Sequence, residues 1–416
     1  MALRRRDALA FGAALPFVGA GSVRAQAPAT LQFWEGHSAQ EEAATIRMIA
    51  AFEAANPDVK INRTKVAFGG DFERITMASA SNTLPDVSPI WSGFLAQFAG
   101  AGSLLDLGRF GAPDLKGTFA PGCWEYGQLK GNTYGLPYAF DPRFLAYGRT
   151  VLAEAGQGEA PGTLDGLREM ARRLTVRSGG DVRRYGLAVA ANDESMYFFV
   201  NLLMAFGGAL FGEDGRTAAF NSHAGQDAAS FLSALVKDGT VAFNVQTDAM
   251  RQGLFNGRFA AVYDGPWVFY EQQRSGQEGF QVGTAPMPGP APGRRVTIAS
   301  VGDYVIYASS KVPQQAYRFV SFMASPAAQQ YRVGLLKTAV TPAVIDQPVA
   351  RETFAKWPGL ETAQGYLADA RILPSSERWG RMSQALLPGI QAIMNGDEPK
   401  AAIEAAARQA DRNLRR

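Results

Sequence analysis

Six tryptophans and a few carboxylates are the residues of this chain whose types and positions could do chemistry. Indole and phenol rings stack on the apolar faces of sugar rings, and carboxylates beside them accept hydrogen bonds from hydroxyl groups. Any single tryptophan can equally be a core residue, and we keep that interpretation for Trp124 and Trp357. The other four fall at a turn or at the start of an element: Trp34, Trp91, Trp267 and Trp379.

The richest run of such side chains lies between Gly131 and Gly148. Gly131-Asn132 is a turn signal, and Asp141-Pro142 separates two short extended segments, since a residue before proline is driven away from helical angles. Two extended segments joined end to end predict a hinge that crosses between two lobes. We expect four side chains of this run to line the cleft between the lobes: Tyr138, Asp141, Arg143 and Tyr147.

Two tryptophans close to the N-terminus have polar neighbours. Glu35 follows Trp34, and Ser92 follows Trp91, each pair coming after a short run of strand-like residues. Ligands of open α/β sheets bind beyond the carboxyl ends of the strands. The sequence therefore predicts that all four residues contact a ligand.

A further candidate group is the run Asp264-Gly265-Pro266-Trp267, which follows a strand predicted at 258–263. Proline suits the first turn of a helix, so Trp267 is expected to project from a rigid helix start. Gly265 is expected to let the ligand approach the backbone. The acidic candidates Glu35, Asp141 and Asp264 could instead be surface carboxylates or helix caps, and this alternative stays open.

The elements that must position these residues alternate between strand and helix. A strand at 31–34, a helix capped by Ser38 with Glu41, and a strand at 59–66 form a βαβ unit, which implies a parallel sheet covered by helices. Further helices are predicted to begin at Thr163, Ser222, Pro313 and Ser325-Pro326. The Pro- and Gly-rich run 284–295 is interpreted as a second crossover. The chain is expected to be helical from Ser376, with breaks at Pro388-Gly389 and Pro399.

The N-terminal 27 residues have the features of an export signal. Arg4-Arg5-Arg6 precedes an apolar run too short to span a bilayer, and Ala25-Gln26-Ala27 is a small-x-small cleavage site. Arg5-Arg6 also permits the twin-arginine route. Cleavage would remove four arginines and one aspartate, which takes the formal net charge from +3 to zero. The remaining chain gives no reason to expect nucleic-acid binding, and we predict a periplasmic monomer.

Composition and motifs also limit the chemistry. Hydrophobic residues make up 47% and charged residues 19%, which is ordinary for a soluble protein. The single cysteine, Cys123, cannot form an internal disulfide. Nucleophile-elbow, phosphate-loop, dinucleotide and zinc-protease motifs are missing from the sequence, and its two histidines, His37 and His223, lie far apart. We therefore expect no catalytic residues, no cofactor and no metal site.

A set of short motifs spread over almost the whole chain resembles one family. These motifs are Phe33-Trp34, Leu84-Pro85-Asp86-Val87, the run 131–137, Thr163-Leu164-Asp165, Lys237-Asp238-Gly239, the passage 257–267, the run 286–290, and Ser325-Pro326. Each is weak alone, but their order and spacing are similar to those of the family 1 extracellular solute-binding proteins of ABC importers, the maltose-binding-protein class.

The resemblance implies an α/β fold of two lobes, each a mostly parallel sheet flanked by helices, joined by hinges and closing on a ligand. It places residues 28–139 with 297–325 in the N-terminal lobe and 140–296 with 326–416 in the C-terminal lobe. It implies that Trp91, Tyr147, Trp267 and Trp379 stack on a sugar, that Asp141 is the acidic residue ahead of Tyr147, and that Trp34 and Glu35 lie in the first ligand loop. Gly148 replaces the Asn usual in the family, so a maltodextrin ligand is not assumed.

The function implied is capture of a sugar, polyol or glycerol-phosphate-like solute and its delivery to the membrane subunits of an ABC permease. One alternative is a secreted carbohydrate-active enzyme that uses two carboxylates among Glu35, Asp141 and Asp264 as acid and base. Another is a relative that binds glycerol 3-phosphate, polyamines or metal ions. A polyamine or metal site would be dominated by carboxylates, with few stacking partners.

Overall fold

The computed structural model describes residues 27–36, 39–66, 71–91, 93–156, 158–191, 193–335 and 337–415. Three predictions fall outside this range: the export signal up to residue 26, the helix cap at Ser38, and a ligand role for Ser92. In the described part of the chain, none of the helices has the length and apolar character needed to cross a membrane.

The described residues form sixteen α-helices, with short 3-10 turns at Leu107–Phe110, Ala112–Thr118, Pro342–Val344 and Tyr366–Asp369. The helices are α1 (Ala39–Ala55), α2 (Asp71–Ser81), α3 (Leu95–Gly100), α4 (Cys123–Tyr126), α5 (Arg149–Glu154), α6 (Leu164–Leu174), α7 (Asp193–Ala205), α8 (His223–Asp238), α9 (Thr247–Phe255), α10 (Trp267–Arg274), α11 (Pro313–Ala324), α12 (Pro326–Val333), α13 (Pro348–Lys356), α14 (Pro358–Gly365), α15 (Trp379–Met394) and α16 (Pro399–Leu414).

The same residues form seventeen strands, several of them only two residues long. They are β1 (Ala29–Glu35), β2 (Val59–Lys65), β3 (Val87–Trp91), β4 (Gln128–Leu129), β5 (Asn132–Thr133), β6 (Gly135–Pro142), β7 (Phe144–Gly148), β8 (Val176–Ser178), β9 (Asp181–Arg184), β10 (Leu187–Ala190), β11 (Val241–Val245), β12 (Ala261–Asp264), β13 (Val282–Ala285), β14 (Met287–Pro288), β15 (Arg295–Val296), β16 (Ile298–Ile306) and β17 (Arg371–Ile372).

Two main sheets organise the molecule. The first has six strands in the order β17-β16-β3-β1-β2, with β6 also paired to β16. The second has five strands in the order β11-β10-β12-β7-β13. Strands β1, β2 and β3 run parallel, as do β10, β11 and β12. The predicted α/β fold of two sheets flanked by helices is confirmed, but both sheets are mixed and not mostly parallel: β16 runs antiparallel to β3 and β6, and β7 runs antiparallel to β12 and β13. We call the first sheet with its helices the N-terminal lobe, and the second sheet with its helices the C-terminal lobe.

Two neighbouring strands carry the chain between the sheets. Strand β6 pairs with β16 in the first sheet, and after Arg143 the chain continues directly as β7 in the second. Strand β16 returns the chain to the first sheet antiparallel to β6. The sequence analysis interprets the run 284–295 as the second crossover, but in the structure β16 makes that crossing. The run 284–295 instead contains most of the small hairpin β14–β15, because its prolines lack the N–H groups that a long strand needs. Strand β16 is fully buried and rich in β-branched residues, which favour a long strand.

Three clusters of buried side chains follow this arrangement. One surrounds the first sheet and includes Phe33, Tyr304 and Phe319. The other two cover opposite faces of the second sheet, because successive residues of a strand point to opposite sides. In β7, Leu145 and Tyr147 join the cluster with α6, α7, α8, α15 and α16, while Phe144 and Ala146 join the cluster with α9, α10, α13 and α14. Trp124 and Trp357 are core residues, as expected.

Local sequence signals set the helix starts correctly. The hydroxyls of Thr163, Ser222 and Ser325 accept hydrogen bonds from the first turns of α6, α8 and α12. The predicted break at Pro388-Gly389 is wrong, because α15 continues through Pro388. A Cβ on Gly389 would lie 2.6 Å from the Cβ of Ala406, so the glycine allows α16 to pack closely there. That packing offsets the hydrogen bond that Pro388 cannot donate.

Candidate functional site

Trp267 lies at the junction between β12 and α10. Its indole is half-buried and lies against Gly265, where an added Cβ would come within 2.2 Å of the ring. The space over Gly265, which we expected a ligand to use, is therefore filled by Trp267 itself. Both carboxylate oxygens of the preceding Asp264 accept hydrogen bonds from Arg251, at 2.7 and 3.0 Å. Asp264 therefore anchors Arg251 beside the indole.

Three cationic side chains surround the Trp267 indole. The guanidinium carbon of Arg143 lies 4.4 Å from the ring centroid, Lys337 Nζ lies 5.0 Å from it, and the guanidinium carbon of Arg251 lies 5.8 Å from it. Cations within about 6 Å of an indole centroid are attracted by the negative face of the ring. The surroundings of Trp267 are thus basic as well as aromatic.

Arg143 connects both crossover strands to the C-terminal lobe. It forms a bidentate ion pair with Glu194 at 2.8 and 3.0 Å, at the start of α7, and it donates to Ser300 Oγ of β16 at 2.9 Å. It also lies 4.9 Å from the Tyr197 ring. Burial alone lowers the pKa of Arg143, but the charge and hydrogen bonds of Glu194 outweigh burial and raise the pKa. Arg143 is therefore a permanent positive charge at the hinge.

On the N-terminal side of the crossover, Tyr138 of β6 is the centre of an aromatic group. Its ring stacks on Tyr304 of β16 at 4.3 Å and meets Trp91 edge-on at 5.5 Å. The guanidinium of Arg332, from the last turn of α12, lies 4.8 Å from the centre of the Tyr138 ring. Trp91 is the last residue of β3 and is half-buried, so the strand end carries an aromatic residue as the sequence predicts.

A buried polar group connects these two aromatic centres. Arg332 Nη2 donates to Glu41 Oε1 of α1 at 3.1 Å, and Lys337 Nζ lies 3.8 Å from the same oxygen. Asp141 Oδ1 accepts from the Thr338 hydroxyl at 3.2 Å. Burial lowers the pKa of Lys337, while the negative charges of Glu41 and Asp141 oppose that shift. Residues from α1, from β6 and from the segment after α12 therefore meet beside Trp267.

Trp379 closes one side of the space between the lobes. It is the first residue of α15 and is buried, and its indole lies on Gly93 in the turn after β3. Nearby, Glu377 lies against Gly100 of α3 and pairs with Lys130 at 2.7 Å. The start of α15 in the C-terminal lobe thus contacts the N-terminal lobe directly.

Three of the predicted ligand residues lie apart from this group. The indole of Trp34 is half-buried under the exposed guanidinium of Arg74, at 4.4 Å. Glu35 is buried and accepts a hydrogen bond from Arg63 at 2.8 Å. Tyr147 shares a face of β7 with Leu145, so its ring packs in the C-terminal core against Gly283 of the adjacent strand. We leave Tyr147 out of the ligand set that we propose below.

A separate cavity of about 580 Å³ lies between α15 and α16. Alanine is the commonest residue in its lining, and Pro388 and Gly389 of α15 also line it. None of the aromatic or basic residues described above lines it. Its polar lining residues are Gln384, Asp397, Glu398 and Gln409, so it lacks the aromatic rings and cations that lie between the lobes.

Sequence reasoning missed most of the charged residues of the site: Glu41, Glu194, Arg251, Arg332 and Lys337. Buried charges have no periodic pattern, and these residues come from five separate segments. Arg143 was noticeable because it follows Asp141-Pro142 in the predicted hinge. A second signal was available after Ser325-Pro326, where Arg332 lies in the last turn of a short helix and Lys337 follows that helix.

Two sheet-based lobes joined by paired crossover strands, with aromatic and charged side chains between them, define the class of two-lobed solute-binding proteins. The chain belongs to the bacterial extracellular solute-binding protein family, whose model matches residues 36–330. It is 25% identical over 373 residues to a binding protein of Brucella abortus (strain 2308), and the match covers 88% of each chain.

Solved structures share the fold. The chain is similar to the GacH receptor of Streptomyces glaucescens GLA.O, solved unliganded and with acarbose, at a TM-score of 0.79 and 24% identity, covering 94% of this chain and 98% of the receptor. It is also similar to UgpB of Mycobacterium tuberculosis in complex with glycerophosphocholine, at a TM-score of 0.82 and 20% identity, covering 94% of this chain and 99% of UgpB.

Proposed function

We propose that this protein is the solute-binding component of an ABC importer. It captures a carbohydrate-type solute between its two lobes and presents the solute to the membrane subunits of a permease. The protein acts as a monomer in the periplasm, where residues 1–27 direct it, by the general or the twin-arginine export route. Export of a folded or unfolded chain does not alter the binding step.

One observation carries the proposal: side chains from both lobes and from the segments between them meet at a single place. Trp267 comes from the C-terminal lobe, Glu41 and Tyr138 come from the N-terminal lobe, and Arg143 and Lys337 come from the connecting segments. A solute that touches both lobes favours the state in which they are together, so binding closes the hinge. The acarbose and glycerophosphocholine complexes of proteins with the same fold support a polar, hydroxylated solute.

The ligand set that we propose combines aromatic and charged groups. Trp91, Tyr138, Trp267 and Trp379 present rings, and Asp141 presents an acceptor beside the basic residues. Trp34 and Glu35 are proposed for an outer part of the cleft, and Ser92 is proposed only from its place after Trp91 in the sequence. Asp264 and Gly265 act indirectly, because Asp264 holds Arg251 and Gly265 seats the Trp267 ring.

We propose the lobe boundaries expected from the sequence, residues 28–139 with 297–325 and residues 140–296 with 326–416, although the short strand β17 pairs with β16 of the first sheet. One detail favours a later final boundary. Ala328 of α12 packs in the core of the first sheet, whereas Val333 at the end of α12 packs in the core of the second. We therefore place the third crossing between the lobes near the end of α12.

The arrangement of the carboxylates favours binding over catalysis. Asp264 forms a bidentate ion pair with Arg251, and Glu35 pairs with Arg63. A glycosidase needs one carboxyl group that can donate a proton and a second facing it across the scissile bond. Carboxylates held by guanidinium groups in separate parts of the fold do not supply that pair. We therefore propose that the solute is released unchanged.

The basic residues also argue against a polyamine or metal ligand. Arg143, Arg251 and Lys337 surround Trp267 and would repel a polycation. Within the described ranges, no group of three or more His, Cys, Asp or Glu side chains is arranged to hold a metal ion.

A melting-temperature screen of the purified full chain tests the proposal. The panel contains neutral sugars, polyols, sugar acids, glycerol phosphates and polyamines, since a ligand that binds the folded state raises the melting temperature. We expect a carbohydrate-type solute to raise it, and mass spectrometry should recover that solute intact. Hydrolysis of the bound solute would favour the enzyme alternative, and a shift with polyamines alone would overturn the carbohydrate assignment.

A further inference from the structure

Lys337 is a buried cation whose surroundings do not supply the hydrogen-bond acceptors that its ammonium group needs. Its side chain is 1% exposed, and within the described residues its ammonium nitrogen has no hydrogen-bond partner. The ammonium has three N–H donors, and the nearest carboxylate oxygen, Glu41 Oε1, lies 3.8 Å away. A buried charge is costly unless it is paired and hydrogen-bonded, so such a residue needs a partner to complete it.

Arg332 presents a second set of unused donors. Its side chain is also 1% exposed, and among the described residues only its Nη2 has a hydrogen-bond partner, Glu41. Nε and Nη1 are buried and lack a partner among the residues that the structure describes. The guanidinium carbon lies 4.8 Å from the centre of the Tyr138 ring, so these donors are held beside an aromatic face.

The acceptors in this region do not match the donors in number. Asp264 and Glu194 are each held in a bidentate pair with an arginine. Glu41 Oε1 is shared by Arg332 and Lys337. The one carboxylate oxygen near Lys337 without a partner in the described part of the chain is Asp141 Oδ2. Among the described residues, the unused N–H groups of Arg332 and Lys337 therefore outnumber the free carboxylate oxygens near them.

We propose that the solute carries an acidic group, a carboxylate or a phosphate, which binds to Lys337 and Arg332. This inference rests on the proposed function, because it names the chemical class of the solute bound between the lobes. An acidic group brings two or three acceptor oxygens and a negative charge to the place where donors are in excess. Trp267 lies beside Lys337 and Tyr138 beside Arg332, so the apolar part of the solute contacts these rings.

Titration calorimetry of the full chain with matched pairs of solutes tests the inference. The carboxylate arm compares glucuronate with glucose and galacturonate with galactose. The phosphate arm compares glucose 6-phosphate with glucose and glycerol 3-phosphate with glycerol. In one arm we expect the acidic member to bind at least about tenfold more tightly than its neutral counterpart, as for a charge-assisted contact. The arm that responds identifies the acidic group.

Lys337→Met adds a residue-level test. It should weaken binding of the preferred acid by about tenfold or more and change binding of the neutral counterpart by less than about threefold. The exposed Lys311 provides the control, since Lys311→Met removes the same charge from the surface and should change neither. A melting temperature for Lys337→Met no lower than that of the wild type shows that the variant is folded. If it is lower, Lys337→Gln replaces it.

The outcomes separate the inference from the proposed function. If neutral members bind as tightly as their acidic counterparts, the acidic-group assignment is wrong and the carbohydrate-binding function stands. If acids bind preferentially but Lys337→Met weakens both members of a pair equally, Lys337 does not bind the acidic group of the solute. If no member of any pair binds, the proposed function fails and the inference fails with it. The wild-type comparison requires no variant, so a folding defect cannot obscure it.

Discussion

The indole of Trp379 lies on the backbone of Gly93, so closely that a Cβ built at Gly93 would come within 2.2 Å of Trp379 Cδ1. Trp379 begins α15 of the C-terminal lobe, and Gly93 follows β3 of the N-terminal lobe. A contact that needs a glycine on one lobe and a tryptophan on the other can form only when the lobes are together. It therefore fixes how closely the two lobes approach each other at this point.

Gly93→Ala should hold the lobes apart. The added methyl group would overlap the Trp379 indole, and the variant should have a larger radius of gyration in small-angle scattering and a lower affinity for its solute. Gly102→Ala is the matched control, because Gly102 also has a positive φ, +72° against +98° for Gly93, but nothing lies within 4 Å of its added Cβ. If the radius of gyration changes equally in both variants, backbone strain causes the change and the contact between the lobes does not.

Trp267→Ala should reduce solute affinity by about 1–3 kcal/mol, the scale of a stacked aromatic contact. Its stability loss should be smaller than the roughly 3–5 kcal/mol expected for emptying a core site, because the indole is half-buried and faces Arg143 and Lys337. Trp124→Ala serves as the control, since Trp124 is buried and stacks on Phe119 in the core of the N-terminal lobe. Calorimetry measures the affinity and urea unfolding the stability of both variants: Trp267→Ala should lose mainly affinity, and Trp124→Ala should lose mainly stability. A large stability loss with unchanged affinity for Trp267→Ala would remove Trp267 from the ligand set.

Arg143→Met should cost about 3–5 kcal/mol of unfolding free energy, because it leaves the Glu194 carboxylate without its bidentate partner at a poorly hydrated position. Arg173→Met provides the comparison. Arg173 also pairs with a glutamate at 2.8 Å, but the two side chains are 57% and 48% exposed, so its loss should cost no more than about 1 kcal/mol. Similar costs in urea unfolding would mean that the Arg143 pair contributes no more than a surface pair.

Asp303 gives a pH dependence that can be assigned to one group. It is buried in the N-terminal lobe between Gly127 and Gly135, and within the described residues both carboxylate oxygens lack a hydrogen-bond partner. Burial raises the pKa of Asp303 well above the ordinary value of 3.8. The folded protein therefore holds this proton at a pH where the unfolded chain releases it. The contribution to stability is complete below the unfolded pKa and is lost as the pH rises through the folded pKa.

Asp303→Asn should remove that loss. The variant should be more stable than the wild type at neutral pH, and its advantage in unfolding free energy should grow as the pH rises above 3.8, the ordinary pKa of an aspartate. Asp181→Asn, at an exposed position in β9, should leave the pH profile unchanged. Urea unfolding at several pH values measures both variants, and a constant difference between Asp303→Asn and the wild type would show that Asp303 does not titrate in this range.

Local features of the fold were accessible from the sequence because local physics decides them. Thr163, Ser222 and Ser325 cap helices through hydrogen bonds to residues three positions later, and Gly239 ends α8 with a left-handed backbone. Pro388 misled the same reasoning, because tertiary packing of α15 against α16 outweighed one missing hydrogen bond. The hinge at Asp141-Pro142 was predictable because proline restricts its neighbour and two extended segments flank it.

The charged half of the site was not accessible in this way. Arg332 and its partner Glu41 are 291 residues apart, and no local pattern connects them. Tyr147 illustrates the reverse error: its type and position suit a ligand role, but the alternation of side chains along β7 turns it into the core. Aromatic residues at element ends therefore indicated the general place of the site, while the pairing of buried charges required the three-dimensional fold.

A crystal structure of the protein with the solute that gives the largest melting-temperature shift tests the central claim most directly. We predict electron density for the solute between the two lobes, in contact with Trp267 and with at least one residue of the N-terminal lobe, and with its acidic group within hydrogen-bond distance of Lys337 Nζ. Density in the cavity between α15 and α16, or at any site confined to one lobe, would contradict this account.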